Sequence, residues 1–166
     1  MDIRKEESVL HNFMTRKVRD SLIKRLEEIR VQRLRLANEL EVAAGFGDLR
    51  ENAEYDAAME QQGRLNREAE NIRKRLSNAT LIEDLNITGE KASIGTAVTV
   101  CNHEERRVYV IVGCPDDESP IPGVKVTFNS PVARYLLGKV EGDIVYLGFN
   151  GFKEEVEIVS IEKVFV

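Results

Sequence analysis

The chain has 166 residues, which is enough for one ordinary domain or two small ones. Charged residues make up 32 % of it, aromatic residues only 6 %, and a single thick core would carry more aromatic bulk. The net charge of −5 argues against a protein that coats nucleic acid by bulk electrostatics. The charged start resembles no signal peptide, and no apolar run approaches the roughly 20 residues of a membrane span, so we expect a cytoplasmic protein with no membrane partner.

Cysteines and histidines indicate no metal site. Cys101 and Cys114 lie in apolar, strand-like runs without ligand spacing, and His11 and His103 are isolated. We therefore expect reduced structural thiols and incidental surface histidines.

Two long helical patterns occupy the first half of the chain. Neither Gly nor Pro occurs from residue 14 to residue 44, and apolar residues recur there and again after residue 55 in steps of three and four. The two stripes are Leu22, Leu26, Ile29, Leu36, Leu40 and Ala43, then Tyr55, Ala58, Gln62, Leu65, Ala69, Ile72, Leu76 and Ala79. Gly45 and Gly47 between them predict a helix stop and a turn. The pattern predicts an antiparallel coiled-coil hairpin about 45 Å long, at about 1.5 Å per residue.

The first helical pattern is strongly basic between residues 16 and 35. This stretch holds eight bases and three acids. The bases are Arg16, Lys17, Arg19, Lys24, Arg25, Arg30, Arg33 and Arg35. Either a solvated helix face or a surface that steers toward nucleic acid or an acidic wall would explain the excess, and the sequence does not decide between them.

A change of periodicity after residue 84 predicts a second domain. Short β-rich runs are separated by turn signals, and the last run is bent or broken. The predicted strands are 95–101, 106–113, 124–128, 144–149 and 155–166. Ser130 can cap a short helix that starts at Pro131 and ends before Gly138. We interpret residues 116–118 as a solvated acidic turn, and the whole run as a small α+β domain.

Five acids gather where the two helical patterns meet. Of these, Asp48 and Glu51 have the spacing of a capping box, in which each side chain bonds the other residue's backbone N–H. The same pair, three positions apart at a helix start, can share a hard divalent cation such as Mg²⁺. Two carboxylates alone make a poor magnesium site, so further oxygens would have to come from a partner. Both roles can hold for the same residues.

Five segments of the chain resemble the Gre family of bacterial transcript cleavage factors. Three lie in the helical half: Gly47-Asp-Leu-Arg-Glu-Asn-Ala-Glu-Tyr55, Glu60-Gln-Gln-Gly63 and Leu76-Ser-Asn-Ala79. The other two, near the C-terminus, are Ser130-Pro-Val-Ala-Arg-Tyr-Leu-Leu-Gly-Lys139 and Glu141-Gly-Asp143. The resemblance is continuous from about residue 47 to residue 166.

Residues 1–13 are predicted to be an N-terminal extension without counterpart in the family pattern, and residues 86–91 a linker. The resemblance implies a coiled-coil hairpin with an acidic tip (14–85) and an FKBP-like, polymerase-binding domain (92–166). It implies a monomer that is an accessory factor rather than an enzyme. Its tip would enter the secondary channel of RNA polymerase, meet the 3′ end of the nascent RNA, and stimulate cleavage of backtracked RNA. No cofactor would be bound stably by the protein alone, and Mg²⁺ would be shared with the polymerase active site.

Residue roles follow from the matched motifs. By position, Asp48 and Glu51 are the metal-assisting acids, and Leu49, Asn52 and Tyr55 support the tip. Ser130, Pro131 and Arg134 are the expected contacts to polymerase.

Departures from the family pattern keep two other functions open. Ala44 and Met59 stand where relatives can carry basic residues, and the segment 14–18 lacks a glycine common at that helix start. One alternative is a regulator that occupies the channel without cleavage, and the other is a coiled-coil adaptor with no polymerase role. Prolyl isomerase activity, which an FKBP-like fold permits, is not favoured because the aromatic residues are scattered.

Overall fold

A computed structural model describes residues 12–45, 53–103, 105–149 and 152–165. The described residues divide into two compact units. One is the helical stretch Arg19–Asn78, and the other combines the chain up to Val18 with the chain from Ala79 onward. Within the described ranges, no helix is long and apolar enough to cross a membrane. The domain limits predicted from the sequence stay a prediction.

The helical unit is a hairpin of two helices, α1 (Arg16–Gly45) and α2 (Ala53–Ser77). Residues of the two predicted stripes form its core. Ile29, Leu36, Leu65, Ala69 and Ile72 are buried, with Leu22, Leu26, Ala58 and Leu76 packed around them. The predicted hairpin is confirmed, because apolar spacing is a local property that a helix turns directly into a buried seam. The prediction was wrong at Ala79, which starts a strand after α2 has ended.

The other unit contains a five-stranded sheet. Its strands are β3 (Thr96–Cys101), β4 (Arg106–Val112), β5 (Val124–Thr127), β6 (Ile144–Phe149) and β7 (Phe152–Lys163). Their order is β5-β4-β3-β7-β6, and only the β4–β5 pair is parallel. A helix, α3 (Pro131–Leu136), follows β5, as the sequence predicted. The fold is therefore α+β, and all five predicted strands form.

The sheet is buried on both faces along its central strands. One face carries Val98, Ile111, Leu147 and Ile158 against Leu136 of α3. A second buried cluster lies on the other face. It is formed by Ala97, Val110, Val112 and Val164, which are next along the chain to residues of the first face or follow the last strand. Because successive side chains of a strand point to opposite faces, this alternation requires cover on both sides. The last strand, β7, is continuous rather than broken. It contains a β-bulge, because its pairing with β3 skips Val159.

Two very short strands lie where the sequence predicted none. β1 (Asn12–Met14) and β2 (Ala79–Leu81) pair in parallel, and a 3-10 helix (Ile82–Asp84) follows β2. Three-residue strands are too short for an alternating pattern, so periodicity could not reveal them. Met14 and Ile82 are almost fully buried, and Ile87 within the predicted linker is buried too. These segments are therefore part of the folded sheet unit.

Candidate functional site

The hairpin connection contains the predicted tip residues. α1 ends at Gly45 and α2 begins at Ala53, so Asp48, Leu49, Glu51 and Asn52 lie outside the described residues. Tyr55 lies in the first turn of α2 and is half-buried. The roles assigned to these five residues stay predictions.

Beyond the connection, α2 carries the other three of the five predicted acids, Glu54, Asp56 and Glu60. Asp56 and Glu60 are both exposed. Glu60 accepts a hydrogen bond of 2.8 Å from Arg64, one helical turn later. In the ranges that the structure describes, no group of three or more His, Cys, Asp or Glu side chains could hold a metal ion.

The basic stretch of α1 is largely neutralised within the protein. Five of its eight bases form ion pairs: Arg16–Asp84, Lys17–Glu118, Arg19–Asp20, Arg25–Glu68 and Arg30–Glu27. The hydrogen bond to Glu27 raises the pKa of Arg30, and the same bond lowers the pKa of Glu27. A face with so many internal partners favours the solvated-helix interpretation over electrostatic steering.

The three predicted polymerase contacts lie together at the start of α3. Ser130 caps the helix, and its Oγ accepts a hydrogen bond of 3.2 Å from the N–H of Ala133. Pro131 occupies the first helical turn, where a missing N–H costs nothing. Pro131 and Arg134 are exposed. The capped turn thus holds one exposed ring and one exposed guanidinium in a defined arrangement.

Buried residues hold this surface in place. Val132, Ala133 and Leu136 point into the sheet core beneath α3. Gly138 follows the helix with φ of +78°, a conformation that glycine adopts without strain. The buried side of α3 is therefore fixed by three core residues, and its C-terminal end by a glycine turn.

Asp117 is the residue that sequence reasoning placed wrongly. The sequence predicts a solvated turn for it, but it is 0 % exposed. Its carboxylate accepts hydrogen bonds from the backbone N–H groups of Thr15, Gly113 and Cys114. Thr15 is 102 positions away in the chain, so no local spacing could have signalled the contact.

Comparison with known proteins gives a match to each part of the chain. Residues 12–81 match the N-terminal model of the transcription elongation factors GreA and GreB, and residues 87–163 match their C-terminal model. The two domains, in this order, are those of a transcription elongation factor.

Individual relatives agree with these matches. The chain is 42 % identical over 137 residues to transcription elongation factor GreA of Pseudomonas aeruginosa, covering 81 % of this chain and 85 % of the relative. It is 38 % identical to GreA of Vibrio vulnificus and 40 % to GreA of Acinetobacter baumannii, in both cases over 90 % of this chain and 96 % of the relative. The chain therefore belongs to the GreA/GreB family.

A solved structure of GreA factor homolog 1 from Thermus thermophilus is 22 % identical and covers 90 % of this chain and 97 % of that chain. Its TM-score to this chain is 0.41.

Proposed function

We propose that this protein binds RNA polymerase, inserts the end of its hairpin into the secondary channel, and stimulates Mg²⁺-dependent cleavage of backtracked nascent RNA. The observation that carries the proposal is the match of both halves of the chain to GreA and GreB domains, with Asp48 and Glu51 present in the connection between α1 and α2. Such cleavage would release a short 3′ fragment and restore an extendable RNA end, which rescues an arrested complex.

The two tip acids supply what the chemistry needs from this chain. Carboxylate oxygens are hard ligands, and Mg²⁺ accepts one or two of them while it keeps waters and phosphate oxygens. When bound, the metal would activate water and stabilise the charge that develops on the phosphate. Asp48 and Glu51 would hold and orient it from the protein side. Two acids are too few for a stable site, so the metal would be shared with the polymerase active site.

In this proposal the chain is an accessory factor, and the polymerase remains the catalyst. Ser130, Pro131 and Arg134 would contact the polymerase, which leaves the hairpin to reach the 3′ end of the RNA. Leu49, Asn52 and Tyr55 would support the tip rather than perform chemistry. We propose that the protein acts as a monomer in the cytoplasm, with no membrane partner.

The proposal is tested with backtracked elongation complexes that contain labelled RNA and Mg²⁺. The wild-type protein should release short 3′ fragments rapidly. The Asp48→Asn/Glu51→Gln variant should bind polymerase with unchanged affinity and release almost none. If wild-type protein binds but accelerates no cleavage, the cleavage role is wrong.

One observation favours a second candidate, a regulator that occupies the channel without cleavage. Met59, in a position where relatives can carry a base, is 45 % exposed on α2 and offers no charge to RNA. A non-cleaving regulator would compete with a cleavage factor for polymerase in the same assay, whereas the proposed factor would add to cleavage.

If the tip acids serve only as a capping box, the Asp48→Asn/Glu51→Gln variant should behave differently from the variant of a cleavage factor. Loss of a cap costs about 1 kcal/mol of helix stability per residue. A coiled-coil adaptor would therefore show slightly lower stability in the Asp48→Asn/Glu51→Gln variant and no other change. Family membership gives that alternative no support.

A further inference from the structure

Two phenylalanines from distant parts of the chain form a ring pair within the sheet unit. The ring centroids of Phe13 in β1 and Phe128, which follows β5, are 5.2 Å apart, and the rings are inclined by 83°. In this edge-to-face geometry the positive edge of one ring meets the negative face of the other. Phe128 also packs against the hydrophobic core beneath α3. Phe128 therefore lies between the strand β1 and the core that carries α3.

The end of β4 brings the two aromatic residues together. The carbonyl of Val112 accepts a hydrogen bond of 3.0 Å from the N–H of Phe128. The next residue, Gly113, has no side chain, and a Cβ there would lie 2.4 Å from the backbone oxygen of Phe13. Glycine at this position therefore permits β1 to approach the end of β4 closely. Because the backbone sets this approach, the ring pair is a built part of the sheet unit.

Phe128 leads directly into the capped turn at the start of α3. Ser130 follows shortly after it, and the Oγ of Ser130 accepts a hydrogen bond of 3.2 Å from the N–H of Ala133. The N–H of Ser130 donates to the carbonyl of Thr127 at 2.8 Å. A displacement of the Phe128 ring would therefore move Ser130 and the exposed Pro131 that follows it.

The other end of α3 is held by different contacts. The N–H of Gly138 donates to the carbonyl of Ala92 at 2.7 Å, and the N–H of Ala92 donates to the carbonyl of Lys139 at 2.8 Å. Ala92 is 1 % exposed. Since these bonds do not involve β1, a change in β1 can disturb the start of α3 and leave its end in place.

We propose that Phe13 is a positioning residue for the polymerase-binding surface: its ring holds Phe128, and thereby keeps the start of α3 in the arrangement that polymerase recognises. The inference rests on the proposed function, in which Ser130, Pro131 and Arg134 contact polymerase. A surface that is correctly arranged for only part of the time binds with an apparent affinity reduced by that fraction. Loss of the ring pair should therefore weaken polymerase binding and leave cleavage within the bound complex unchanged.

The first test compares Phe13→Leu with a matched control, Met14→Val. Met14 is the next residue of β1, is 1 % exposed, and points to the opposite side of the strand. We expect Phe13→Leu to raise the half-saturating concentration of the factor roughly threefold to tenfold, the range that an aromatic pair of this geometry contributes. The maximal cleavage rate should stay the same. Met14→Val should lower stability and keep the wild-type half-saturating concentration.

A double-mutant cycle tests the pair itself. Phe128→Leu should raise the half-saturating concentration about as much as Phe13→Leu does. The variant that carries both substitutions should be no worse than either single variant, because the contact is already lost in each. Effects that multiply in the double variant would show that the two rings act independently, and would overturn the proposal.

Hydrogen exchange measures the same effect without polymerase. In Phe13→Leu the amide of Ala133, which donates to the cap, should exchange faster than in the wild type. The amide of Ala92, at the other end of α3, should exchange at the wild-type rate. Equal acceleration at both amides would indicate general destabilisation and would overturn the positioning role.

The outcomes separate this inference from the proposed function. If the wild type fails to bind polymerase, the proposed function is overturned, and exchange at Ala133 still decides whether Phe13 holds this turn. Binding by the wild type together with an unchanged half-saturating concentration in Phe13→Leu would overturn the positioning role alone. An equal loss of affinity in Met14→Val would also overturn it, since any weakening of β1 would then suffice.

Discussion

The guanidinium of Arg25 on α1 meets the carboxylate of Glu68 on α2 through two hydrogen bonds. Nε donates to Oε1 at 2.7 Å, and Nη2 donates to Oε2 at 3.1 Å. Nη1 also donates to Glu28, one turn along the same helix. The fork of Arg25 therefore joins the two helices beside their apolar seam, in the paired geometry that makes such bonds specific.

This pair makes the stability of the hairpin depend on pH. The hydrogen bond from Arg25 holds the pKa of Glu68 below its ordinary value of 4.5, against a smaller opposing effect of desolvation. Ionised Glu68 therefore stabilises the fold above about pH 4.5, and the contribution is lost as the pH falls through the lower pKa of the folded state. In Glu68→Gln, melting temperature should fall less steeply with pH below 4.5 than in the wild type.

At neutral pH the same substitution should have a small effect. The side chains of Arg25 and Glu68 are 37 % and 41 % exposed, so solvent screens their attraction. We expect the melting temperature of Glu68→Gln to drop by at most about 3 °C at pH 7. Parallel pH profiles for the two proteins below pH 4.5 would contradict the assignment of the pH dependence to this pair.

The seam should account for most of the stability of the hairpin. Ile29 is 1 % exposed in the seam, whereas Ile23 on the same helix is 51 % exposed. Ile29→Ala should lower the free energy of unfolding by about 2–4 kcal/mol, since it leaves a cavity between the helices. Ile23→Ala, the matched control, should change it by less than about 0.5 kcal/mol. Urea unfolding measures both, and equal losses would argue against a hairpin packed along this stripe.

Sequence predicted the hairpin and the strands because their signals are local. Ile29 and Leu65 recur at helical spacing, and the run from Ile144 to Phe149 has strand composition between turn signals. The burial of Asp117 depends on Thr15, which no local pattern connects to it. Among site residues, the cap at Ser130 was predicted because capping chemistry lies within four residues.

Substitutions at the start of α3 should distinguish a residue with a structural role, Ser130, from one with a binding role, Arg134. Ser130→Ala removes the cap and should cost about 1 kcal/mol of stability. Arg134→Ala should leave stability unchanged, because the side chain is exposed, and should weaken polymerase binding. The loss should be largest at low ionic strength, where exposed charges are least screened. A titration of polymerase at two salt concentrations measures this, and unchanged binding by Arg134→Ala would remove Arg134 from the interface.

Replacement of glycine by alanine should raise the free energy of unfolding at Gly63 and lower it at Gly113. On Gly63, in the middle of α2, a Cβ would meet only the end of the Arg67 side chain, at 3.6 Å. Since glycine inside a helix is less stable than alanine by about 0.5–1 kcal/mol, Gly63→Ala should raise the free energy of unfolding by that amount. On Gly113 the Cβ would lie 2.4 Å from the backbone oxygen of Phe13 in β1.

Backbone cannot move aside as a flexible side chain can, so Gly113→Ala should force β1 away from the end of β4. Overpacking of this kind costs about 1–3 kcal/mol. The N–H of Gly113 remains in the variant, yet its bond to Asp117 should lengthen as the loop shifts. Hydrogen exchange at Thr15 should then accelerate in Gly113→Ala and stay at the wild-type rate in Gly63→Ala. Unaltered exchange at Thr15 with reduced stability would mean that the start of α1 is held independently of the loop after β4.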